Sequence, residues 1–234
     1  MLSATEALAR LQDGNRRFAS SQARGGALAD AARRAELVSG QAPFAIILGC
    51  SDSRVPAELV FDQGFGDLFV IRVGGNIVAP SQIGSVEFAA ARFGTRLVVV
   101  MGHTQCGVVT AALDDLQGRG SVDSRNLQSI VDRVRPAVHT VLELRPDADY
   151  DTLLRDAVRA NVRAAVSHLR HGSPMLEELT SDGLLVVGAE YSLETGVVEF
   201  FDGVTGLQGR PERVRGRAPG SKDPGLRRAR KPRV

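Results

Sequence analysis

Both cysteines of this chain lie in two short segments, Cys50-Ser-Asp-Ser-Arg54 and His103-Thr-Gln-Cys106, which also hold one of its four histidines. Two thiolates, an imidazole and a carboxylate form a soft donor set of the kind a tetrahedral Zn²⁺ takes. With Cys50, His103 and Cys106 as ligands, the fourth corner has two possible occupants. Asp52 can bind the metal and close the site, or it can swing to a charge-assisted pair with Arg54 and leave the corner to water. In the second arrangement zinc lowers the pKa of that water from about 15.7 to roughly 7, so that zinc-bound hydroxide exists near neutrality. Asp52, kept ionised by Arg54, then orients the hydroxide for attack on a small electrophile. A purely structural zinc presents four committed Cys or His ligands, often as Cys-x₂-Cys, and that spacing does not occur here. Its absence argues equally against a dithiol redox pair. His139, His168 and His171 fall in helical stretches away from the cysteines and read as surface or packing residues.

The elements around these segments explain how they could meet. Each follows a strongly apolar run, residues 44–49 and 97–102, read as core strands. Both ligand pairs therefore stand just past strand ends, where open α/β sheets carry their chemistry. A further strand is expected over residues 68–73, and Gly74-Gly75-Asn76 breaks it, bringing backbone close to whatever lies at its end. Residues 183–188 supply another parallel strand, and residues 197–201 follow too closely for a helical crossover, so they return antiparallel at an edge.

Helices are expected from the first residues (apolar at Leu2, Leu8 and Leu11), over 31–38, from a Ser81 cap to Phe93, and over 108–116. A further helical segment around residues 127–142 should be interrupted by Pro136, and a clear stripe runs from Leu154 to Leu169. The sum is one α/β domain: a mostly parallel central sheet flanked by helices, with an antiparallel edge strand.

A chain of 234 residues buries one core without disulfides. No apolar run approaches the roughly 18–20 residues of a membrane span, and the first residues lack the basic start and apolar core of a signal peptide. Reduced thiols fit a cytoplasmic protein. Ten Lys or Arg against two acids after Gly206 give that segment +8, so residues 1–206 carry −6 of the overall +2. Residues 207–234 are thus a basic Arg/Gly/Pro-rich tail, expected to be disordered and solvated, with no aromatic platform for reading nucleic acid. Residues 1–206 form the domain that holds the site.

Taken together, the motifs resemble the β-class carbonic anhydrases over roughly residues 2–206. Cys50-Ser-Asp-Ser-Arg-Val-Pro-Ala-Glu58 and Gly102-His-Thr-Gln-Cys-Gly107 match the family's zinc-binding segments. Residues 61–64, 66–72 and 84–88, the Asn161-Val pair and Ser173-Pro174 add to the likeness. The resemblance implies reversible, zinc-dependent hydration of CO₂ to bicarbonate and a proton, with one Zn²⁺ per chain on Cys50, His103 and Cys106 and with Asp52 and Arg54 as the catalytic pair. Asp52 would join the metal only in the closed state. It makes Gln41 an amide donor to CO₂ or bicarbonate and Phe69, Gly74 and Phe88 the pocket lining. Phe88 replaces a tyrosine of some members and Gly74 a larger aliphatic residue, which together imply a roomier pocket or a shifted interface.

The resemblance also implies a homodimer or dimer of dimers, with the cleft at the subunit interface and the first helix, which has few local partners in the sequence, reaching over the partner. Some relatives are regulated by bicarbonate in a pocket that includes a tryptophan. This chain has no Trp, though it keeps Arg72 and Tyr191 of that pocket. Carbonyl sulfide or carbon disulfide hydrolysis is the alternative for the same zinc. A non-catalytic, zinc-stabilised nucleic-acid module is a remote one, since it would leave Asp52 and Arg54 without a task.

Overall fold

The structure, a computed structural model, describes residues 2–24 and 30–204; the basic tail lies outside the described residues. Five strands form one sheet in the order β2-β1-β3-β4-β5. They are β1 (Ala45–Gly49), β2 (Leu68–Arg72), β3 (Leu97–His103), β4 (Leu185–Tyr191) and β5 (Val198–Asp202). The first four pair in parallel, and β5 returns antiparallel to β4 at the edge. Every residue of β1 and β3 is buried. That explains why both read as unbroken apolar runs instead of alternating ones: helices cover both faces.

Eight helices accompany the sheet among the described residues: α1 (Ala4–Ala19), α2 (Ala31–Glu36), α3 (Ala57–Val60), α4 (Pro80–Phe93), α5 (Gly107–Leu116), α6 (Arg125–Leu144), α7 (Tyr150–His171) and α8 (Pro174–Ser181). One apolar layer joins α1 and the Val55–Phe61 segment to one face of the sheet, through Leu11, Ile47, Phe61, Val99 and Met101. The opposite layer carries α4, α7 and α8, with Val86, Val162, Val166 and Leu176 on Ile46, Val98 and Val100. A third cluster joins α5, α6 and α7 beside Cys50 and Cys106.

Three expectations are corrected, and one helix is added. The helix ending at Phe93 is capped not by Ser81 but by an extended Ala79 followed by Pro80 at its first position, where the missing N–H costs nothing. Pro136 does not interrupt α6, which runs through it with Val131, Val134, Val138 and Val141 buried along one side. A short helix, α8, forms after Ser173, whose hydroxyl accepts from the Leu176 amide.

The first helix, finally, has partners within its own chain. Leu11 is fully buried, Arg10 donates to Gln63, and Arg17 and Arg24 both pair with the buried Asp62. The Asn15 amide donates to the carbonyls of Val60 and Gly196 and accepts from the Val198 amide. The segment Phe61-Asp62-Gln63 is thus the receptor for α1.

Gly14 makes that docking possible, because a Cβ there would lie 1.8 Å from the Phe61 carbonyl oxygen. Backbone cannot yield as a flexible side chain would. Gly14→Ala is therefore expected to lower stability by about 3 kcal/mol, the upper range for overpacking. It should appear in urea unfolding as a fall in midpoint with little change in slope.

Candidate metal centre

Parallel pairing sets Gly49, the last residue of β1, beside Met101 of β3, so the chain leaves both strands on the same side of the sheet. Cys50 follows β1 at once, His103 ends β3, and Cys106 is the cap residue at the amino end of α5. The turn between the last two passes through Gln105 at φ 57°. One ligand atom from each of Cys50, His103 and Cys106 then falls within 4.8 Å of the others. All three residues are buried, at 4 %, 0 % and 1 % exposure.

The chemistry of this cluster asks for a cation. The Cys50 and Cys106 sulfurs are 4.0 Å apart, and both are free thiols. Hydrogen bonding from the Cys106 thiol, joined by backbone donors such as the Gly75 amide, pulls the Cys50 thiol well below its usual range against the cost of burial. The Cys50 thiolate and burial in turn push Cys106 upward. A divalent ion removes that conflict by compensating both thiolates.

His103 Nδ1 lies 2.9 Å from the Thr104 carbonyl oxygen, which assigns the proton to Nδ1 and leaves Nε2 with a free lone pair. Nε2 is buried and has no hydrogen-bond partner, an arrangement that a metal bond satisfies. Two sulfurs and one imidazole nitrogen fit zinc.

Asp52 stands beside this triangle and outside it. Arg54 holds it at three points: the Arg54 amide and Nε both donate to Oδ1 at 2.9 Å, and Nη2 donates to Oδ2 at 2.7 Å. Oδ2 is 3.9 Å from His103 Nε2. The guanidinium, acting chiefly through these side-chain hydrogen bonds, holds the Asp52 carboxyl far below the usual carboxylate range. Of the two arrangements read from the sequence, the structure shows the one in which Arg54 keeps the carboxylate.

The loop bearing Cys50 and Asp52 is itself clamped. Arg72 Nε donates to the Cys50 carbonyl at 3.0 Å and its Nη2 to the Asp52 carbonyl at 2.6 Å. This engages the guanidinium that the resemblance placed in a bicarbonate pocket, while Tyr191 is buried against Phe18. Gly75, at φ 67°, donates its amide to Cys50 Sγ at 3.4 Å. Sequence reasoning missed both Arg72 and Gly75 as supports, although the Gly74-Gly75 break already pointed to close backbone there.

The remaining expected pocket residues divide. Gly74 adjoins the centre, but the space a side chain would take is filled by Val108, 3.2 Å from a Cβ placed there, and by Ile130. Within one chain, these neighbours take up the space beside the glycine. Phe69 pairs with Ile46, three rows from the Gly49–Arg72 row, which puts it about 10 Å back along the sheet. There it forms an aromatic group with Phe88 and Phe93. Gln41 precedes β1, at the opposite end of that strand from Cys50. Within one chain, Gln41, Phe69 and Phe88 are not brought to the metal centre.

Comparison with known proteins agrees with this geometry. Residues 45–198 match the family model described as carbonic anhydrase. Carbonic anhydrase 2 of Mycobacterium tuberculosis is 35% identical over 187 residues, covering 80% of this chain and 87% of that protein. A carbonic anhydrase of Mycolicibacterium smegmatis is 36% identical, covering 81% and 89%. Among solved structures, a β-carbonic anhydrase of Aspergillus fumigatus superposes with a TM-score of 0.67 at 26% identity, covering 85% of this chain and 90% of that one.

One zinc per chain is the expected metal content. X-ray absorption should show two sulfur scatterers at about 2.3 Å, and Cys106→Ser should abolish tight binding. A metal shell without sulfur would refute the assignment.

Proposed function

The chain belongs to the β-class carbonic anhydrases, zinc enzymes that interconvert CO₂ and bicarbonate, and we propose how its own residues divide that task. The observation that carries the reading is the buried Cys50–His103–Cys106 triangle with Asp52 held beside it by Arg54. Zinc, when bound, supplies a Lewis acid that brings the pKa of a coordinated water from about 15.7 towards 7. Cys50, His103 and Cys106 are the ligands. Asp52 does the orienting: as a carboxylate it can only accept a hydrogen bond, so it turns the proton of the nucleophile towards itself and the lone pair towards carbon. Arg54 keeps it ionised and off the metal. A C–O bond forms, one C=O electron pair moves to oxygen, bicarbonate departs, and the second proton of the water passes to solvent.

Gln41, Phe69 and Phe88 serve the centre of a second copy in this reading. Gln41 is exposed at the far end of β1, and Phe88, 54% exposed, sits on Phe69 and Phe93 as an open aromatic face. A homodimer would let each chain complete the other's pocket, with an apolar wall for CO₂ and an amide for directional contact. The requirement for thiolate ligands fits the reducing cytoplasm. No helix of the described residues is long and apolar enough to cross a membrane.

Stopped-flow CO₂ hydration, with zinc content measured on the same sample, tests the reading. Asp52→Asn should keep zinc and lose about 100-fold or more in turnover; Arg54→Ala should free Asp52 to take the metal corner and leave a poorly active enzyme. Parental rates in both variants would refute the pair's role.

Activity should rise with pH. Because Arg54 holds Asp52 ionised far into acid, its protonation is not the event lost on acidification. With zinc held by Cys50, His103 and Cys106, the rise would come from hydroxide displacing Asp52 in those molecules where Arg54 has released the carboxylate to the closed state. A flat profile from neutral to alkaline pH would oppose this.

Shared pockets have their own signature. Co-expressing Gln41→Ala with Cys106→Ser chains should restore activity, since one of the two sites in a mixed dimer would be wholly parental. If Gln41 served its own chain, no rescue would appear.

A further inference from the structure

Asn161 sits on α7, is 4% exposed, and has no part in the division of labour above. Its Nδ2 donates to the Gly75 carbonyl oxygen at 2.8 Å in a buried contact. The amide of that same glycine donates to Cys50 Sγ at 3.4 Å. Gly75 has a left-handed conformation, φ 67° and ψ 19°, and a Cβ there would lie 2.8 Å from Val108 Cγ1. Glycine alone fits, and glycine alone is also the residue with the most backbone freedom to lose. Something must hold it. On its carbonyl side the holder is Asn161, on a helix fixed to the sheet by Val162 and Val166.

We propose that Asn161 is a positioning residue for the metal centre: by fixing the Gly75 carbonyl it aims the Gly75 amide at Cys50 Sγ. The inference rests on the zinc reading above. An N–H···S bond draws electron density from a metal thiolate, making the sulfur a weaker donor and the metal a stronger Lewis acid. Partners one shell out from the ligands commonly change metal affinity or activity by about 10–100-fold when removed. The helix that closes one face of the sheet thereby reaches the chemistry without touching metal or substrate.

Asn161→Asp keeps the size of the side chain and replaces the donor by an acceptor facing a carbonyl; Asn161→Ala removes the donor more gently. Each is compared with the parent as the Co²⁺-substituted protein, reading the sulfur-to-cobalt charge-transfer band, and as the Zn²⁺ form in competition with a chelator. The expected result in both variants is a band moved to longer wavelength, because the sulfur regains donor strength, and zinc affinity lower by about 10–100-fold, because the Cys50 loop is no longer held in place for the metal. Val166→Ala, a cavity on the same helix away from Gly75, controls for lost stability and should leave the band in place.

If Asn161→Asp does not fold, Asn161→Ala carries the measurement. An unmoved band in a folded Asn161 variant overturns the proposal, as does an equal shift in Val166→Ala. A parent chain with no charge-transfer band at all would instead overturn the thiolate–zinc reading itself, so the two failures are distinguishable.

Discussion

The parallel pairing of β1 with β3 is the constraint on which the rest of the site depends. Parallel strands end on the same side of a sheet, so two segments far apart in sequence leave the core next to one another. Ile47 lies beside Val99 and Gly49 beside Met101. A slip of one residue would exchange the side chains that one strand presents to the two helix layers, each packed around particular shapes. Because both strands are buried on both sides, such a slip carries a large penalty. The distance between the two thiols is therefore set by the packing of the core and not by the loops that carry them.

Around the ligand loops the dominant theme is arginine and amide acting on backbone. Arg72 grips the carbonyls of Cys50 and Asp52, Arg54 fixes the carboxylate through a bidentate contact, and Asn161 fixes the Gly75 carbonyl. Planar donors suit this work, since each meets its acceptor in a set orientation, and the two guanidiniums hold two acceptor atoms at once. Burial differs in an informative way. Arg54 is half exposed, whereas the Asp52 side chain is only 17% exposed, so the charge that must stay ionised is the better sheltered member of the pair.

Much of the fold and the centre was legible because each carries a local signal. Unbroken apolar runs marked β1 and β3, and the donor types of Cys50, His103 and Cys106 marked the centre. Asp52 and Arg54, two residues apart, announced their own pairing. What escaped depends on contacts distant in sequence. Pro136 looked like a break because a proline removes a helical hydrogen bond, yet the valine stripe on both sides of it kept its period and tertiary packing held the helix together. Ser81 looked like a cap, and Pro80 displaced it. Gln41 and Phe69 offer no clue in sequence to which end of the sheet, or which chain's metal, they would serve. Asn161 could be noticed only as a similarity, for its partner lies 86 positions away.

Asn15 has a consequence for the order in which the molecule can form. Its amide joins α1 to Val60 on one side and to Gly196 and Val198 on the other, contacts separated by 45, 181 and 183 positions. Contacts of such span add little until the intervening chain has been closed into a loop. During synthesis the first helix can take its seat on the Phe61 segment early, but it completes its bonding only after the ribosome has released Val198. The docking of α1 is thus completed only together with β5, and until then the Asn15 amide lacks two of its three backbone partners.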